Sequence, residues 1–184
     1  MAIDTYTLLW LFPIAFMFHD FEEIILGELW LKKHGSEIKA RIKKRVPDFL
    51  ASQMSAALDK STAELALPIS LIFSLTFLAT FLATVYGQYG FFLLASSVFF
   101  LHGFMHLGQA ILLRRYVPAV LTSVVIAIPY GLILYGRLLG EGTISLTELL
   151  VNFLIAIVLT IPFILVMHRV GDYLFKGISR LLLS

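Results

Sequence analysis

The chain has 184 residues, 59% of them hydrophobic, a formal net charge of +2 and no cysteine. With a mean hydropathy of +0.92, this composition excludes an ordinary soluble domain and points to an all-α integral membrane protein. The lack of cysteine excludes disulfides, iron–sulfur clusters and thiol nucleophiles. There is no P-loop, G-x-S-x-G or H-E-x-x-H motif, and no basic–aromatic surface for nucleic acid.

Five stretches have membrane-spanning length, about 20 apolar residues each. In chain order they are about 6–31, 65–87, 91–113, 116–136 and 149–167. Met1–Thr7 lacks a basic n-region, so the first stretch is read as a permanent span rather than a cleaved leader. The polar segment 32–60 follows it. His34-Gly35 reads as a helix stop, and Pro47 breaks what comes next. Asp48–Ala57 places Phe49, Leu50 and Met54 at helical spacing, as in a basic interfacial helix drawn to anionic headgroups. The later linkers are short, which makes sequential helices antiparallel neighbours. Of the 14 basic residues, only Arg137 falls in a linker of the opposite side. The positive-inside rule then gives a single five-helix membrane domain over 1–184, N-terminus outside and C-terminus cytoplasmic.

The first span carries His19-Asp20-Phe21-Glu22-Glu23. A carboxylate at the bilayer centre costs roughly 2.5–3.5 kcal/mol, and none of the apolar spans holds a Lys or Arg to neutralise these acids. Helical spacing puts His19, Glu22 and Glu23 on one face, with Asp20 at the rim. In the third span His102 and His106 stand one turn apart, and Gln109 continues their stripe. Counting back from the basic residues that end each span places His19 level with His102, and Glu23 level with His106. The two clusters therefore predict one buried site. Its inventory suits a divalent transition metal such as zinc, iron or manganese. His19, Glu22, Glu23, His102 and His106 are the expected ligands, Glu22 or Glu23 the expected general base, and Asp20, Gln109 and Arg114 the supporting groups. Glu64 reads as a helix-start residue, Glu28–Lys32 as a surface ion pair, His34 and His168 as wet interface residues, and Asn152 as an interhelical hydrogen-bonding group.

His19-Asp20-Phe21-Glu22-Glu23 resembles the signature of the HXXEE family, small bacterial membrane proteins of unknown function. That family is further marked by N-x-x-x-H and R-x-x-x-P-G-[TV]. His102-Gly-Phe-Met-His106 is similar to the second signature, with His102 where the family has Asn. Arg114-Arg-Tyr-Val-Pro118-Ala119 is similar to the third, with Ala119 where the family has Gly. The resemblance implies no activity. Glu22-Glu23 with His102 and His106 also resembles, more weakly, the CAAX-processing intramembrane proteases, although Gly27 stands where their motif has Arg.

The leading expectation is a metal-dependent membrane enzyme, hydrolase or oxidoreductase, acting on a lipid-like substrate that enters laterally from the membrane lipids. Two other readings use the same residues: a proton or cation pathway without catalysis, and a haem protein with His19 and His106 as axial ligands.

Overall fold

The structure is a computed structural model that describes residues 3–45, 47, 48, 51, 55 and 58–183. Among these residues there are helices and no strand. They are α1 (Thr5–Arg45), α2 (Thr62–Tyr86), α3 (Tyr89–Leu113), α4 (Val120–Gly140) and α5 (Leu146–Leu183). By length and composition α2, α3, α4 and α5 can each cross a membrane, which makes this a membrane protein of multi-pass type. The acidic and histidine residues of α1 keep it out of that set.

Side chains that satisfy backbone groups set the helix ends. Asp4 accepts the Thr7 amide at 2.9 Å and so starts α1. Ser61 and Glu64 form a reciprocal capping box at the start of α2, the role read for Glu64 from its position. Gly87, at φ 67°, turns the chain out of α2. The α3–α4 connection needs two left-handed residues that are not glycine, Arg114 (φ 52°) and Ala119 (φ 66°). A side chain in that conformation costs roughly 1–2 kcal/mol. The strain at Ala119 gives a physical reason for a glycine at that position in the family signature.

Three sequence expectations change. Helix α1 runs without a break through His34-Gly35. A mid-helix glycine costs about 1 kcal/mol, and here the extension is braced from both sides. Arg115 binds His34 Nδ1 at 2.9 Å and Glu37 through both guanidinium nitrogens. The Trp30 indole donates to the Tyr116 carbonyl at 2.8 Å, and Lys39 pairs with Asp59. The Arg115 hydrogen bonds hold the Glu37 carboxyl below its ordinary range. Helix α4 starts at Val120 rather than at Tyr116, because Pro118 and the left-handed Ala119 exclude helix before that point. Asn152 bonds the Glu148 carbonyl of its own helix. Glu28–Lys32 is formed at 2.6 Å as expected, and Glu28 also accepts from the Thr62 amide and hydroxyl. Phe49, Leu50 and Met54 lie outside the described residues.

Helices α1 and α3 run parallel and meet through rings rather than through close backbones. Phe12 packs on Phe92 and Phe99, and Phe16 on Phe99. His19 continues the ladder against Phe99, His102 and His106. Helix α4 closes one flank. There Gly131 receives the Phe100 ring so closely that a Cβ would lie 2.3 Å from it, and the Tyr130 hydroxyl donates to the Leu8 carbonyl. Helix α5 covers the other flank and packs on α2 and α3. Its far face leaves Leu154, Val158 and Ile161 exposed.

Gly171 of α5 sits against Pro68 of α2, where a Cβ would come within 3.0 Å of the backbone nitrogen and 2.7 Å of Cδ. Gly177 has open space around it. Gly171→Ala is therefore expected to destabilise the bundle by about 1–3 kcal/mol. Gly177→Ala should be neutral or stabilising, by up to about 1 kcal/mol, through helix propensity alone. Thermal midpoints of the two variants, read in the same membrane mimetic, check this opposition.

Candidate metal centre

The helical register of α1 sends His19 and Glu23 toward α3, one turn apart. The register of α3 sends His102 and His106 back. His19 is fully buried, and Asp20 and His106 are nearly so. The Nε2 atoms of His102 and His106 are 2.9 Å apart, and the Glu23 carboxylate lies 3.9 Å from His106 Nε2. The matched depths inferred by counting residues are thus observed as contacts.

Two groups of ligand-type atoms result, each with all members within 4.8 Å of one another. One is His19, His102 and His106; the other is Asp20, Glu23 and His102. His102, where the family signature has Asn, is shared by both. His19 Nε2, Asp20 Oδ2 and His102 Nδ1 are buried without a hydrogen-bond partner. Such atoms ordinarily cost free energy unless something ligates them. Among the described residues no Lys or Arg pairs with Asp20 or Glu23. The donor set therefore fits a divalent ion on chemistry as well as spacing: imidazole nitrogens and carboxylate oxygens about 2.0–2.2 Å from zinc bring neighbouring ligands to roughly 3 Å from each other. The His19 and His106 rings are in edge contact, with centroids 5.2 Å apart, rather than facing each other across a gap.

Glu22 and Asp20 exchange the positions expected of them. Glu22 turns to the start of α4, where it accepts the Thr122 amide at 2.7 Å, the Leu121 amide at 3.3 Å and the Tyr116 hydroxyl. These amides are unsatisfied donors at a helix N-terminus, and a carboxylate is the natural acceptor for them. Asp20, read as a rim residue, is buried in the second group. A rotation of 100° per residue separates Asp20 from His19 on a helical wheel. That distinction fails because the cluster wraps around α1 between α2 and α3 rather than facing α3 alone. Thr122 then serves two tasks. Its amide holds Glu22, and its hydroxyl lies 3.2 Å from His19 Nδ1, an arrangement that leaves His19 Nε2 to face the cluster.

A cavity of about 550 Å³ opens on this cluster. Asp20, Glu23, His102 and His106 form its polar wall, and Gln109 stands at the same end. Arg114 is exposed, ends α3, and does not line the cavity. His168 of α5 lies beside Arg169 in the sequence, which alone suggests a wet interface residue. It lines the cavity from the opposite side, with Nδ1 buried and unpartnered. Position alone gave no signal for this, since the inward turn of His168 depends on how α5 docks. The supporting roles of Thr122 and Tyr116 were equally invisible.

An all-helical bundle with an intramembrane-type His/carboxylate cluster is the class that these features define. The family model described as a protein of unknown function with HXXEE motif matches residues 10–134, and the chain belongs to that family. The match includes the whole cluster from His19 to His106 and ends before α5. No curated protein and no solved structure matches the chain.

The geometry separates two acidic neighbours that the sequence treats alike. Glu22→Gln should lower stability by about 1 kcal/mol, through loss of an ionised acceptor at the α4 start, and should leave divalent-metal binding intact. Asp20→Asn should weaken metal binding, while in the metal-free state it should keep or raise stability, because an unpaired buried carboxylate costs more than an amide. Thermal midpoint and zinc titration on both variants test the assignment.

Proposed function

We propose that the protein is a metal-dependent membrane enzyme acting on a lipid-like substrate. It crosses a bacterial cytoplasmic membrane five times, with α1 as the first span, the N-terminus outside and the C-terminus in the cytoplasm. The observation that carries this reading is the overlap of two ligand groups, with orphaned buried donor atoms, on the wall of an otherwise apolar cavity. His19, His102 and His106 would hold one divalent ion, and Asp20 and Glu23 would complete its shell or support a second. An ion so held supplies Lewis acidity, or a redox centre if it is iron or manganese.

The chain's own groups have separable tasks. Thr122 orients His19. Glu23 is partly open to the cavity and is placed to take a proton from a water molecule there. The apolar walls exclude bulk water, which strengthens every charge interaction at the cluster. Hydrolysis and oxidation both use this arrangement. The basic asymmetry of the linkers supports the orientation.

Purified protein is expected to carry zinc, iron or manganese at about one or two ions per chain, and chelation should lower its thermal midpoint, since an ion bound only by the folded state adds stability. Elemental analysis with a chelator melt reads both. Metal-free protein that neither binds nor is stabilised by any of the three ions contradicts the enzyme reading and favours a proton pathway through the same groups. Separately, Ala40→Cys should react with impermeant reagents only from the cytoplasmic side; labelling from outside reverses the orientation.

A further inference from the structure

The cavity is polarised along its length, and this gives its occupant a shape. Helix α3 lines it with a single stripe at helical spacing, from Phe91 through Ala95 and Val98 to His102, His106 and Gln109. From Phe91 to Val98 the stripe is wholly apolar, and α2 and α5 face it with residues such as Leu75 and Leu159. From His102 onward it is polar, and His168 adds an unpartnered ring nitrogen across the cavity. At about 1.5 Å per residue, Phe91 to His102 is about 16 Å, the length of an extended chain of about twelve carbons. The volume of about 550 Å³ lies within the usual range of small-molecule sites, roughly 300–1,000 Å³. A whole two-chain phospholipid does not fit it.

We infer that the cavity binds a single-chain amphiphile with a neutral, oxygen-bearing head, a hydroxyl or carbonyl. The head lies at the His102–Gln109 end and the tail points toward Phe91. A neutral head follows from the wall. A hydroxyl donates to the Asp20 or Glu23 carboxylate and accepts from an imidazole or the Gln109 amide, and its oxygen can also ligate an ion held by the cluster. This inference deepens the substrate class of the proposed enzyme and rests on the reading that this cavity is its substrate site. The apolar half needs no ion, so chain binding is separable from metal binding.

The test uses full-length protein in phosphatidylcholine nanodiscs and a twelve-carbon primary alcohol carrying a diazirine on its terminal carbon. After illumination, peptide mapping should place the label on the Phe91–Val98 stripe and on Leu75 or Leu159, and unlabelled dodecanol should compete it away. Ala95→Trp, which fills the apolar half, should cut that labelling by at least about tenfold, equivalent to about 1.4 kcal/mol, while bound metal is unchanged. Ile161→Trp on the exposed face of α5 should have no effect. Label at Gln109 and His168 reverses the polarity and overturns the proposal, as does label spread over the outward faces of the helices. Those two outcomes are read on the wild-type chain and so do not depend on the folding of Ala95→Trp. Specific tail labelling in a protein that binds no metal keeps this inference and removes the metal reading; bound metal without tail labelling does the opposite.

Discussion

Two carboxylates and three imidazoles share a space between α1 and α3, and among the described residues no Lys or Arg pairs with them. That burial is the constraint on which the rest of the arrangement depends. An unpaired buried charge costs several kcal/mol, more than a marginally stable fold can ignore. The carboxyls must be neutral, hydrated or ligated. His102 lies within 4.8 Å of both carboxylates and also belongs to the group of three imidazoles, an overlap that favours ligation over proton storage alone.

The fold provides for this site by keeping α1 and α3 apart. Large rings from Phe12 to His19 space the two helices along their shared length, so the histidines meet where closely packed backbones would have left no room. The connection after α3 contributes from the side. Its strained Ala119 starts α4 at the level where Glu22 can cap it and Thr122 can reach His19. The polar contacts of that corner therefore join a helix start, a loop and a cluster member in one network. The extension of α1 beyond the apolar region, clamped by Arg115, fixes the same loop from its other end.

Much of this was legible in the sequence, for physical reasons. Hydropathy runs marked the helices because membrane solvent demands them, and helical spacing with residue counting brought His19, Glu23, His102 and His106 to one depth. Glu22 and Asp20 lie elsewhere than helical spacing alone places them, because the sequence carries the angle around α1 but not the positions of its neighbours. Once α4 begins beside Glu22, its free amides capture that carboxylate. The helix stop at Gly35 was misread for a similar reason, since local propensity yielded to tertiary clamps contributed by Arg115 and Asp59. The inward turn of His168 depends on how α5 docks, to which the close approach of Gly171 to Pro68 contributes, and a glycine in a helix is a weak sign of such an approach.

The proposed enzyme requires that the cluster bind an ion through His19, His102 and His106. Anomalous diffraction from crystals of the zinc-loaded protein, recorded on both sides of the zinc edge, tests it most directly. A peak in contact with the Nε2 atoms of those three residues is expected, with Glu22 remaining on the α4 amides. A peak elsewhere, or a fully ordered cluster in zinc-saturated crystals without one, would contradict it.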